Sequence, residues 1–455
     1  MTALEYAPGY KTRRFLNWFF LGLAYAFLYW GRYNLTTAKT ALGDLMTNAD
    51  FGYIFGAGTI VYAFSFLVNG PLTDKHGGRV MMLISVLGSA LANGVMGLVL
   101  YLTMAKGLIP KSSLTVIYSA LYATNMYFQS IGAVVIVKVN ANWFHLSERG
   151  RLGGLFGAMI SMGLFFAFDV STQVLHLFGN DKPWWVFYVP CAALLCILVV
   201  EFFLLADKPT DAGYPEIDLG VAQKEDPNAK PPPVLELFKQ VFSSRILVTV
   251  AFIGVCTGAL RDGLMHWVPI FAKADLAKGG LALSDAQYPR LGWGLQLMIA
   301  GIIGPMTAGW ARDKIFNSRC APPAGIAYCI LITCMSGMIA IFHFARQAVW
   351  FPYALGGLCF FMAISYISAQ GLMTATAAMD FGGKAKATAT GVIDGFVYIG
   401  TAAQAVSLGQ ITSNPDHWGW WPVFLLPFAI IGLILCLRIW HATAGTPAVK
   451  GATAH

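Results

Sequence analysis

The chain has 455 residues, 57% of them hydrophobic and only 11% charged, with a formal net charge of +8 and a mean hydropathy of +0.62. Soluble domains carry about 25% charged residues, so a water-soluble fold is excluded. The positive balance is read as membrane topology, with no nucleic-acid partner expected.

A spanning helix needs ~20 mostly apolar residues, and the apolar windows predict twelve. They lie near 15–38, 51–72, 80–104, 113–137, 153–178 and 184–206, then 246–272, 287–310, 322–344, 350–373, 387–411 and 418–440. The expected class is an all-α membrane protein with twelve transmembrane helices in two pseudo-symmetric six-helix halves. The predicted first half covers 1–206, a polar, proline-rich cytoplasmic linker 207–240, the second half 241–441 and a flexible tail 442–455. Within the linker, "VLELFKQVF" has the pattern of an amphipathic helix lying along the membrane. No cleavable leader is read before Phe15, so the first helix is expected to be retained.

The first helix runs uncharged until "YWGRYNLTTAK" (29–39), which places Arg32 inside the span. A charge at the bilayer centre costs at least about 2.5–3.5 kcal/mol, so such an arginine is expected to face water, a carboxylate or a ligand. Tyr29, Tyr33 and Asn34 flank it. Lys39 follows seven residues later on nearly the same face. It is read either as a guide for anions at the outer mouth or, preferentially, as a lysine snorkelling to the interface.

After the second helix comes "GPLTDKHGGR" (70–79), with Gly70, Asp74 and Arg79. The fourth helix offers Asn125 and Gln129 as polar pocket candidates, and ends in Lys138, a gate or surface residue. The fifth carries Asp169. The seventh contains "ALRDGLMHWVP" (259–269), so Arg261 occupies the place in the second half that Arg32 occupies in the first. Asp262, His266 and Trp267 lie beside it. His266 and Asp262, four residues apart, share a helix face; they are read equally as a proton-exchanging pair and as a polar contact. After the eighth helix "GWARDKIFNSR" (309–319) repeats the first-half loop, with Gly309 and Asp313 in place of Gly70 and Asp74. The glycines are expected to let helices approach closely, and the aspartates to accept hydrogen bonds from a neighbouring helix end or an arginine. Tyr366, Gln370 and Tyr398 are further pocket candidates, and Asp394 lies in the eleventh helix.

Lysine and arginine concentrate in the loops on the side of both termini, which predicts cytoplasmic ends. The two arginines, one per half, make a candidate anion clamp able to grip phosphate or carboxylate. The alternative is that each is structural and paired with Asp169, Asp262 or Asp394.

The repeated glycine–aspartate loops resemble the major facilitator superfamily. The strings "YxxRYN" (29–34), "LRDGxxxWxP" (260–269), "GWxxDKxF" (309–316), "ERG" (148–150), "DKPTDAGYP" (207–215) and "KATATGVIDGFVYIG" (386–400) resemble its organophosphate:phosphate antiporter family. That family includes glycerol-3-phosphate and hexose-phosphate transporters and a hexose-phosphate sensor. The resemblance implies secondary transport of a phosphate ester in exchange for inorganic phosphate, Arg32 and Arg261 as the phosphate-binding arginines, and a bacterial inner-membrane location. The chain departs from the pattern at Phe66, where the family has a lysine, at Ile160, where the glycerol-3-phosphate transporter has a histidine, and at His266, where the family has an aspartate. These departures leave open a proton-coupled symporter of a carboxylate or phosphonate. A non-transporting sensor of a sugar phosphate is the third reading.

No catalytic constellation, metal-ligand spacing or phosphate-cradling loop is found, so neither enzyme activity nor a cofactor or metal is expected. The expected partners are a small organic anion, inorganic phosphate or protons, and the bilayer, with the chain itself a monomer.

Overall fold

The computed structural model describes residues 7–145, 149–215, 234–273, 292–376 and 386–442. Helix dominates these residues, and no strand occurs among them. In chain order the longer helices are α1 (Tyr10–Leu42), α2 (Asn48–His76), α3 (Gly78–Met104), α4 (Leu114–Trp143), α5 (Arg149–Phe165), α6 (Ser171–Phe178) and α7 (Trp185–Leu204). They are followed by α8 (Val234–Ser243), α9 (Arg245–Met265), α10 (Trp267–Phe271), α11 (Trp293–Lys314), α12 (Ala321–Phe344), α13 (Phe351–Gln370), α14 (Lys386–Ile411) and α15 (Trp420–Arg438). All-helical structure is what a bilayer demands, because each backbone N–H and C=O must find its partner within the segment.

Among the described residues, ten helices or continuous helix pairs are long and apolar enough to cross a membrane, and the bent α2 makes an eleventh. α1 has 33 residues, ample length for a ~30 Å core at 1.5 Å per residue. Its tyrosines, tryptophans, Asn17 and Arg32 dilute its hydropathy. The sequence-predicted all-α membrane class is the one observed. α2 is bent near Ser65–Val68. Pro71 lies inside the helix and cannot donate to the carbonyl of Leu67 four residues back, which it also crowds. α5 and α6 are joined through a π-helical turn, Phe166–Val170, which carries Asp169. A second π-helical turn, Gly371–Thr376, follows α13.

The chain forms two compact units. The first comprises Met1–Ala38, Phe64–Pro110 and Leu121–Lys230; the second comprises Lys39–Ala63, Lys111–Ala120 and Pro231–His455. Within the first, α3 packs along α7, and a core of Leu21, Leu28, Met82, Val86, Val135 and Leu194 is buried. Gly163 on α5 faces the Tyr29 Cβ and the Ala26 carbonyl so closely that a methyl group there would lie 2.5 and 2.7 Å from them. α1 and α5 therefore meet through a glycine.

Within the second unit the main contacts are α9 with α14, and α12 with α13 and α15. α9 and α14 cross on glycines from both sides. A Cβ at Gly258 would run into the Val397 backbone, and one at Gly400 into the Val255 backbone. The first part of α2 also belongs to this unit. Asn48 Nδ2 donates to the Thr412 carbonyl at 2.9 Å, and the Tyr62 and Tyr398 rings meet at a 49° tilt with centroids 4.3 Å apart. The predicted helix in "VLELFKQVF" is present as α8. Residues 216–233 of the linker and the tail from 443 lie outside the described residues. All eight cysteines are free thiols.

Candidate ligand-binding site

In the first unit Arg32 is wholly buried. Its Nε donates to Gln129 Oε1 at 2.7 Å, and its guanidinium carbon lies 4.7 Å from the Tyr29 ring centroid and 5.8 Å from that of Tyr33. The two tyrosines meet edge to face at 5.5 Å, so the cation rests on electron-rich faces in a desolvated place. Gln129 Nε2 donates to Asn125 Oδ1 at 3.3 Å, and Asn125 Nδ2 donates to the Gly31 carbonyl at 2.9 Å. Tyr122 donates to the Arg32 carbonyl at 3.0 Å. The sequence candidates Arg32, Tyr29, Tyr33, Asn125 and Gln129 therefore form one connected cluster. Asn34 points elsewhere: its amide nitrogen donates to Asn93 Oδ1 at 2.9 Å and to the Val186 carbonyl at 3.0 Å, tying α1 to α3 and α7. Asp169, half-buried, sits on the π-helical turn, a feature common at functional positions.

In the second unit Arg261 is also buried. It is held by Asp262, its neighbour in sequence, through Nε to Oδ1 at 3.1 Å and Nη2 to Oδ2 at 2.7 Å. The Thr401 hydroxyl donates to the same Asp262 oxygen. The guanidinium lies 5.2 Å from the Tyr398 ring centroid. His266 Nε2 stands 3.7 Å from Asp262 Oδ1, an ion-pair distance rather than a hydrogen bond, and its ring packs 4.3 Å from that of Phe55. Trp267 Nε1 donates to Gln404 Oε1 at 3.2 Å. Tyr366 is buried near Asp262 and Arg261. Neither its hydroxyl nor the Gln404 amide nitrogen has a hydrogen-bond partner among the described residues. Burying such groups unpaired is costly, and both are donors a polar ligand would use. Asp394 is half-buried within electrostatic reach of Arg261. Gln370 is half-buried at the end of α13.

Thr401 and Gln404 escaped the sequence reading. Their signal was two hydrogen-bonding side chains three residues apart, one helical turn, in the apolar α14. Glu201 also escaped it: wholly buried on α7, it has no partner for either carboxylate oxygen among the described residues.

The repeated loops are engaged unequally. Asp74 Oδ1 accepts from Lys138 Nζ at 3.0 Å, and Lys138 also donates to the Thr73 carbonyl at 2.7 Å. Lys138 thus joins the end of α4 to α2. Arg79 reaches the Phe202 carbonyl, and its backbone N–H donates to Asp207. The turn between them uses Gly77 at φ +83°, which only glycine adopts without strain. In the second copy Asp313 meets Arg312 at 3.6 Å. Outside its own helix, no described atom lies within 4 Å of where a Cβ would stand on Gly70 or Gly309, so among the described residues neither glycine makes the expected close helix approach. Of the departures noted in the sequence, the Phe66 side chain lies outside the described residues, and Ile160 packs against the first unit's apolar core.

Among the described residues, Arg32 and Arg261 are the buried arginines, and each guanidinium lies beside a tyrosine ring and a hydrogen-bonding side chain. The model of the Major Facilitator Superfamily matches residues 21–405, and the chain belongs to that superfamily of transporters. It is 24% identical over 452 residues to a glycerol-3-phosphate transporter of Bacillus subtilis, covering 95% of this chain and 93% of that one. It is 24% identical over 464 residues to a probable hexose phosphate transport protein of Chlamydia trachomatis, covering 95% and 92%. It is 22% identical over 437 residues to the membrane sensor protein UhpC of Escherichia coli, covering 93% and 91%. These relatives are the kinds of protein that the motif resemblance indicated. The fold matches the crystal structure of a bacterial homologue of the human lysosomal transporter Spinster, with a TM-score of 0.68 at 13% identity over 94% of this chain and 97% of that one.

Proposed function

We propose that the protein is a secondary active transporter of a small organic anion, a phosphate ester such as a sugar or glycerol phosphate, exchanged for inorganic phosphate by alternating access. Arg32 and Arg261 are the anion-binding groups. The halves 1–206 and 241–441 are the alternating bodies, joined by the 207–240 linker. The observation that carries this reading is the pair of arginines, each buried in the first long helix of its half with its guanidinium over a tyrosine ring. A guanidinium has five N–H donors in a fixed fork, and desolvation strengthens its hold on a phosphate oxygen. The names of the two transporter relatives support the phosphate ester. The chain lies in a bacterial inner membrane with both termini cytoplasmic. Labelling of an Ala222→Cys variant by an impermeant reagent outside intact cells would contradict that orientation.

Reconstituted vesicles test the exchange. Uptake of glycerol-3-phosphate or glucose-6-phosphate that requires internal phosphate and ignores an imposed proton gradient is the expected result. Uptake driven by an inward proton gradient without internal phosphate would instead assign proton coupling. The Asp262–His266 contact at 3.7 Å supports that second reading. A sensor, as in the third relative, would bind the ester and show no uptake in either arm.

A further inference from the structure

Two lysines line a cavity that contains neither Arg32 nor Arg261. Within the second unit, the end of α1, the turn into α2, the end of α10 and the turn between α14 and α15 line a half-open cavity of about 550 Å³. Its lining includes Lys39, Lys273, Asp44, Thr47, Asn48 and Thr412. Lys39 does not snorkel to water: it is only 7% exposed, and among the described residues its ammonium donates to a single acceptor, the Gly43 carbonyl at 3.2 Å. An ammonium has three donors, so two remain for an occupant of the cavity. Lys273 is exposed and has no partner among the described residues.

The carboxylates are fewer at the cavity wall. Asp44 lines it. Asp50 acts on Lys39 electrostatically but is not part of the lining, and it accepts from the Thr47 N–H and hydroxyl and from the Thr115 hydroxyl. Two lysines against one aspartate leave the lining net positive.

We propose that this cavity is a binding site for a small phosphate-class oxyanion, held between the Lys39 and Lys273 ammonium groups and separate from the Arg32 and Arg261 clusters. A buried cation with unfilled donors is costly to keep, and a hydrated oxyanion supplies the missing acceptors and balances the second lysine. The volume suits inorganic phosphate or a small phosphate ester. The ligand is free in water rather than carried on a lipid, because hydroxyl and amide groups from the end of α1, the turn into α2 and the turn between α14 and α15 line the cavity. The site does not depend on the transport reading.

The experiment is phosphate binding to the full chain, purified in lipid-free nonionic detergent, by equilibrium dialysis of labelled inorganic phosphate. The expected result is a phosphate component that Lys39→Met weakens at least tenfold, that Lys273→Met weakens about threefold and that Lys39→Arg retains. Because Lys273 is exposed, its variant keeps the test informative if Lys39→Met fails to fold. Arg32→Lys and Arg261→Lys leave this component intact while weakening the other. If those arginine variants change nothing, the clamp fails and the cavity site stands. Parent affinity and stoichiometry in both lysine-to-methionine variants would overturn the cavity site. Repeating the dialysis in nanodiscs separates the source. Loss of free-phosphate binding in phosphatidylglycerol discs, but not in phosphatidylcholine discs, would give the cavity to a lipid headgroup and overturn the free-anion proposal.

Discussion

Arg261 and Asp262, adjacent in α9, are joined by two hydrogen bonds of 3.1 and 2.7 Å in a place with almost no solvent. Consecutive residues on a helix point about 100° apart, so the long arginine side chain has to fold back to meet its neighbour. The Thr401 hydroxyl from α14 completes the arrangement. A ligand approaching Arg261 therefore competes with Asp262 for the fork.

That competition makes Asp262→Asn informative. Breaking a buried pair costs on the order of 3–5 kcal/mol, so the variant should unfold at a lower temperature in detergent. If Arg261 binds anions, added phosphate should raise the unfolding midpoint of the variant more than that of the parent, since the anion replaces the lost carboxylate. Equal phosphate shifts in the two proteins would show that Arg261 is structural.

Arg32→Lys and Arg261→Lys should each weaken phosphate-ester binding by tenfold or more in a calorimetric titration. Lysine keeps the charge but loses the planar two-donor fork. Affinities within twofold of the parent in both variants would contradict a shared anion site.

Gly258 and Gly309 should respond oppositely to alanine. A methyl group at Gly258 would strike the Val397 backbone, which side-chain rotation cannot relieve, and overpacking costs about 1–3 kcal/mol. Gly258→Ala should reduce the monodisperse fraction on size-exclusion chromatography, while Gly309→Ala, with no described atom within 4 Å, should match the parent. A parent-like Gly258→Ala would mean that α9 and α14 are not locked at this crossing.

Glu201→Met should stabilise the protein. The glutamate is wholly buried with neither oxygen hydrogen-bonded among the described residues, and replacing an unpaired buried polar group with an apolar side chain of similar length removes a penalty of about 1–3 kcal/mol. The measurement is the thermal midpoint in detergent. A fall of several degrees would reveal a partner for Glu201 in another state of the molecule.

Much of this protein follows from the order of its residues alone. Span length and charge content along the chain identify the membrane helices, because the bilayer tests each segment of ~20 residues almost independently. The same logic singles out Arg32 and Arg261, since a cation in an apolar segment is costly wherever the helix packs. Gathering Arg32, Gln129 and Asn125 into one chain of hydrogen bonds was within reach too, as uncharged polar side chains in apolar helices seek one another.

What the linear chain left undecided are matters of direction. The pairing of Arg261 with Asp262 rather than with Asp394 depends on where Thr401 on α14 meets α9, and that depends on the glycine crossing at Gly258 and Gly400. Gly70 and Gly309 look like contact glycines in the sequence, yet the described helices pass elsewhere. Lys39 reads as an interfacial lysine by its spacing, but the turn at Gly43 closes over it and buries its ammonium. Helical periodicity assigns a face to each of these residues. Only the packing of neighbouring helices decides whether that face meets lipid, a partner or a cavity.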